Sequence, residues 1–142
     1  MGYRMMTRLR VAVIAAALVC AACGGTGDDV TGTYMLDQTG GAGCVLGARA
    51  EAKVADLVLQ CTAAGAWGSQ GTVTGTAALD DGEAVYTTAA FGHACEIRIR
   101  FRGSRAVVSQ AGSAQDCGMP AGVAAAGTYR RTSRDAWRGP LQ

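Results

Sequence analysis

Residues 95–102 read Cys95-Glu96-Ile97-Arg98-Ile99-Arg100-Phe101-Arg102. Apolar side chains hold the odd positions and charged ones the even positions. A period of two puts Cys95, Ile97, Ile99 and Phe101 on one face and the charges on the other. That pattern marks a half-buried β-strand, and no helical period reproduces it. Gly103-Ser104 turns the chain and Arg105-Ala106-Val107-Val108-Ser109-Gln110 returns along it. Pairing across this turn sets Cys95 opposite residue 111 or 112, within a short bend of Cys117.

The same grammar extends in both directions. Thr33-Tyr34-Met35-Leu36 is a first short strand. Thr72 to Leu79 is another, rich in β-branched threonine. Asp80-Asp81-Gly82 is a turn of the Asp-Gly kind, after which Glu83 to Thr88 runs back. Gly122 to Arg131 reads as a closing strand, with Gly127 marking a bend or a close backbone approach. The segment from residue 45 to 60 is ambiguous. Ala48 to Asp56 holds good helix formers, yet Ala55, Leu57, Leu59 and Cys61 alternate. A helix there would hold Cys44 and Cys61 about 24 Å apart, so a strand from about 53 to 60 is favoured. About seven hairpin-linked antiparallel strands result: an all-β meander or small barrel over residues 31–131. Closure would remove the edges that invite aggregation. Gly-Thr-Tyr near both ends (32–34 and 127–129) fits first and last strands that meet.

The composition sets limits. The chain has 142 residues, 28 of them Ala and 21 Gly, so its 49% hydrophobic content describes a thin core. Such a core needs staples. Four cysteines in the body of the chain, Cys44, Cys61, Cys95 and Cys117, read as two disulfides with three possible connectivities. Cys44–Cys61 and Cys95–Cys117 are favoured, because each closes a loop local to one hairpin. Metal or redox chemistry has little support: there is no Cys-x-x-Cys, and His93-x-Cys95 offers two ligands where zinc takes four. No cofactor is implied.

Residues 1–22 read as a signal peptide. Arg4, Arg8 and Arg10 precede the apolar run Val11 to Val19, and small Ala21 and Ala22 precede Cys23. The uncharged stretch is too short for a spanning helix, which needs about 20 residues. Cys-Ala-Ala-Cys (20–23), followed by Gly24-Gly25, resembles the lipobox of bacterial lipoproteins. The resemblance implies cleavage before Cys23 and its acylation, palmitate included, with residues 23–30 as a flexible tether. Cleavage after Ala21 or Ala22 would instead give a soluble secreted form. The pattern from Cys95 through Cys117-Gly118 to Gly127-Thr128-Tyr129 resembles small exported bacterial proteins over roughly the last 50 residues, and implies no activity. Gly65-Ala66-Trp67 is faintly similar to the lipocalins.

Removing the signal turns the net charge of +2 into −1, with 10 basic and 11 acidic residues left. The charge is polarised: residues 24–90 sum to −6 and residues 91–142 to +5. Arg98, Arg100 and Arg102 line one outward strand face, a candidate surface for an anionic partner. Nucleic acid is not expected, given the negative net charge, few aromatics and export. No catalytic residue stands out. His93, the sole histidine, lacks a strained nucleophile beside it, and Asp80-Asp81 is explained by turn chemistry. The expected role is a non-enzymatic binding or inhibitor-type module of the cell envelope, facing the periplasm or exterior and held to a membrane by lipid. Small exported lysozyme inhibitors are analogous in size and location. The alternative is a lipocalin-like carrier of a small apolar ligand. Residues 132–142 read as a loosely ordered tail, with Trp137 able to dock on the barrel.

Overall fold

A computed structural model of the chain describes residues 30–37, 42–65, 68–89 and 92–139. The proposed signal peptide, Cys20, Cys23 and nearly all of the tether lie outside these residues, as do Ala66, Trp67 and Phe91. Eight strands follow one another: β1 (Gly32–Asp37), β2 (Gly43–Glu51), β3 (Val54–Thr62), β4 (Gln70–Asp80), β5 (Glu83–Thr88), β6 (Cys95–Arg102), β7 (Arg105–Ala111) and β8 (Gly127–Ser133). Each pairs antiparallel with the next, and β8 returns to β1, closing a barrel.

The all-β reading holds, with one strand more than the seven expected. The addition is β2. Its glycines and alanines hide a β pattern in which Cys44, Leu46 and Ala48 point inward. The doubtful stretch 45–60 is a hairpin in which Ala52 (φ 54°) turns the chain between Glu51 and Val54. The closing strand begins at Gly127 rather than Gly122 and runs on to Ser133, so residues 132 and 133 belong to the barrel.

The lumen is packed by interleaving small and large residues. Register places Ala106 between Phe101 and Tyr129, and Ala84 between Leu79 and Ile99. Ala48, Ala55, Ala84 and Ala106 are fully buried, as are Tyr34, Leu46, Ile97, Ile99 and Tyr129. The abundant alanine therefore makes room for aromatic and branched neighbours, as interior packing density requires. The rings of Tyr34 and Phe101 lie 5.6 Å apart at 57°, a tilted geometry that favours the edge-to-face attraction.

The two Gly-Thr-Tyr triplets have the same job at opposite chain ends. Tyr34 Oη donates to the carbonyl of Val30 at 2.7 Å, and Tyr129 Oη donates to that of Ala125 at 2.7 Å. Each hydroxyl thus reaches four residues back and pins the chain entering its strand. The glycines allow close approach: a Cβ on Gly32 would lie 2.5 Å from the Ser133 carbonyl oxygen, and one on Gly127 would lie 2.8 Å from Leu36 Cδ1.

The two ends of the barrel differ. At one end β2–β3, β4–β5 and β6–β7 are joined by two-residue turns: Ala52-Lys53, Asp81-Gly82 and Gly103-Ser104. Asp81 (φ 45°) and Gly82 (φ 74°) are both left-handed, the type I′ turn whose twist suits a hairpin. Val30 enters at this turn end. The opposite, loop end carries every long connection and both disulfides.

The bridges are those expected. Cys44–Cys61 joins directly opposed residues of β2 and β3, and Cys95–Cys117 ties the start of β6 to the β7–β8 connection. That connection, residues 112–126, folds over the loop end. Ser113 and Asp116 exchange hydrogen bonds in a capping box: Ser113 N–H donates to Asp116 Oδ2 at 3.0 Å, and Asp116 N–H to Ser113 Oγ at 3.2 Å. Met119, Val123 and Ala125 are then buried against the core, with Met119 and Pro120 seated over Gly71.

After Ser133 the chain crosses the outer face of β1–β3. Thr33 Oγ1 donates to the Asp135 carbonyl at 2.6 Å. The Trp137 backbone occupies the space above Gly47, where any side chain would collide with it. Residues 134–139 thus form a strap packed on the barrel, where a loosely ordered tail was expected.

Candidate anion-binding surface

Arg98, Arg100 and Arg102 project outward from β6, alternating with buried Ile97, Ile99 and Phe101. Their surroundings differ. Strand β5 runs beside β6 with Glu83 opposite Arg100. Glu83 takes Arg98 Nη1 on one carboxylate oxygen and Arg100 Nε on the other, the latter at 2.6 Å. Arg98 Nη2 also contacts Glu96 Oε1 at 2.9 Å. The Arg100 guanidinium above all, with Arg98, holds the Glu83 carboxyl below its ordinary range despite the opposing effect of burial. Glu96 and then Glu83 strengthen the charge on Arg98. Two of the three predicted arginines are therefore already neutralised within the barrel wall.

Arg102 is not. It faces Arg105 directly across the Gly103-Ser104 turn, and Arg105 faces Arg130 of β8. All three are exposed, and neither Arg102 nor Arg105 has an ion pair among the described residues. Directly opposed side chains in an antiparallel pair lie about 5 Å apart at Cβ, and like charges so placed repel. The row continues to Met35 of β1, paired with Arg130 and itself 42% exposed. One row back, Val107, opposite Arg100, is 43% exposed. Three guanidiniums with apolar patches beside them thus cross β6, β7 and β8 at the turn end. On the β5 side the row is bounded by the acids Asp80, Asp81 and Glu83, which line a depression of about 680 Å³ together with Arg100 and Arg102.

The basic surface is therefore displaced from the one read in the sequence. Arg105 was within reach, because a two-residue turn at 103–104 makes Arg102 and Arg105 partners. Arg130 was not, because its position depends on where β8 closes onto β7.

Other candidate chemistry is dispersed. His93 is exposed on the rim of a shallow groove of about 610 Å³ that also includes Gln70, Asp116 and Met119. Asp116 is committed to Ser113, whose hydroxyl and then whose N–H lower its carboxyl pKa. Burial raises the Tyr129 phenol well above its ordinary value, but its hydroxyl is fixed to Ala125. No group of three or more His, Cys, Asp or Glu able to hold a metal ion occurs among the described residues. The two disulfides point to an oxidising compartment.

Compared with known proteins, the chain matches no family model, no curated protein and no solved structure.

Proposed function

We propose that the protein is a non-enzymatic binding or inhibitor-type module of the cell envelope, anchored through acylated Cys23, that docks an acidic partner protein on Arg102, Arg105 and Arg130. The observation that carries this reading is the direct cross-strand alignment of the three arginines. An acidic partner relieves the repulsion between Arg102 and Arg105, which face each other across the turn, and electrostatic complementarity of this kind speeds association. The burial of Tyr34, Leu46, Ile97, Ile99 and Tyr129 in one core cluster favours this surface reading over a carrier, which needs an internal cavity of at least about 300 Å³.

The test joins capture to charge reversal. A photo-crosslinker at Val107 should trap an acidic envelope protein in the native membrane. Arg102→Glu/Arg105→Glu should abolish the adduct, while Lys53→Glu on another turn leaves it intact. Capture that survives the double reversal refutes the surface. The anchor is tested separately by detergent partitioning of Cys23→Ala, which should leave the detergent phase; unchanged partitioning removes the lipid from the reading.

A further inference from the structure

The barrel wall is not equally sealed on all sides. On its β3 side, β4 is paired without a break from Gln70 to Ala78. On its β5 side the pairs stop at Ala78↔Val85. Beyond that point β5 follows β6, as far as Thr88↔Cys95. The two strands therefore separate toward the loop end. On the inside, the Tyr86 ring lies back over Gly75, where any Cβ would strike it.

The direction of the backbone groups along this edge follows from alternation. Leu79 N–H donates to the Lys53 carbonyl, so the odd residues of β4 bond to β3. The even residues point the other way, and Thr72, Thr74 and Thr76 present their N–H and C=O groups to the gap. Among the described residues no strand receives them, and all three threonines are exposed. From Gln70 to Leu79 there is no charged residue and no proline. The usual protections of an exposed edge, lysine, proline or an inward charge, are missing.

We infer that β4 is a dimerisation edge: the β4 strands of two copies pair antiparallel about a two-fold axis at Thr74. The edge is self-complementary. Thr-x-Thr-x-Thr reads the same in both directions, so Thr74 meets Thr74 and Thr72 meets Thr76 of the second copy. The two strands exchange about six backbone hydrogen bonds, and cross-strand threonine pairs are favourable. No like charges are brought together, and an isologous contact closes at two copies without propagating. A charged partner strand would gain the same hydrogen bonds but would not match this neutral threonine ladder, and a proline-bearing one would lose a hydrogen bond as well.

The experiment is sedimentation velocity on the exported chain carrying Cys23→Ala, so that no acyl group at that site drives association. A concentration-dependent species of twice the chain mass is expected. Thr72→Lys/Thr74→Lys, which leaves the β3 side of β4 untouched, should weaken association about tenfold or more, with an unchanged circular dichroism spectrum showing that the barrel is intact. Register is read by Thr74→Cys, which should form a disulfide-linked dimer on mild oxidation, whereas Thr128→Cys on β8 should not. A monomer at every concentration overturns the inference. So does a dimer that persists in the lysine variant, or one that crosslinks equally well through residue 128.

Discussion

Replacing Tyr129 by Phe removes one oxygen atom and leaves the shape of the core unchanged. The hydroxyl is fully buried and donates to the Ala125 carbonyl at 2.7 Å, while the Ala125 N–H is already bound to Gln110 Oε1. In Tyr129→Phe that carbonyl keeps its burial and loses its donor. An orphaned buried acceptor of this kind costs about 1–3 kcal/mol. For a domain of this size each kcal/mol shifts Tm by roughly 4 °C, so Tm should fall by about 4 to 12 °C. A second readout distinguishes this site from a generic packing defect. Burial raises the Tyr129 pKa in the folded state, so the native protein holds the phenolic proton after the unfolded chain has released it. Stability is complete below the unfolded value near 10 and declines as pH rises above it, by up to about 1.4 kcal/mol per pH unit. Tyr129→Phe should remove that component of the alkaline decline. Thermal unfolding from pH 7 to 11, followed by circular dichroism with disulfides intact, measures both effects. A Tm within about 1 °C of wild type, or an alkaline decline that persists unchanged, refutes the assigned role.

Three further perturbations address other parts of the fold. Cys95→Ser/Cys117→Ser opens a bridge with a sequence separation of 22 and should cost about 3 kcal/mol, with amide exchange in residues 112–126 rising more than in β2–β3. Gly47→Ala should displace the strap from the barrel wall. The expected result is a red-shifted Trp137 emission and faster tryptic cleavage at Arg134 and Arg138, while the β spectrum is retained; an unshifted emission with unchanged cleavage contradicts the packing at Gly47. Ala52→Gly relieves a left-handed alanine (φ 54°) and should raise stability by about 1 kcal/mol, read as an increase in the denaturant midpoint at constant m.

What could be read in advance was whatever depended on neighbours in sequence. The β6 alternation and the pairing of Cys95 with Cys117 arise within the β6–β7 hairpin and its continuation, and the Asp81-Gly82 turn within the β4–β5 hairpin; each carries a period or a turn residue of its own. Strand β2 escaped notice because its inward positions include alanine and its outward ones include Gly47, whose role appears only when Trp137 arrives from the far end of the chain. Residues 122–126 read as the start of the closing strand, but in the structure the strand begins at Gly127. The burial of Val123 and Ala125 comes instead from capping the loop end, and the Tyr129 hydroxyl holds that entry in place. For the basic surface the obstacle was electrostatic. Nothing near Arg98 or Arg100 in sequence announces that Glu83 binds both, and Arg130 joins the row only through the β7–β8 register.

The closure between β1 and β8 also governs the order in which the molecule can be assembled. Every other seam joins strands adjacent in the chain, and three of those joints are two-residue turns that form hairpins within microseconds. The Cys44–Cys61 bridge lies inside one such hairpin and needs no other part of the chain. The seam that pairs Tyr34 with Arg131 and Met35 with Arg130 spans nearly the whole barrel, and its loop-closure entropy must be met by contacts that come last. During synthesis β1 can rest on β2 but has an open edge until the C-terminal strand emerges. The strap that crosses Gly47 is later still, and acts as a latch set after the cylinder has shut.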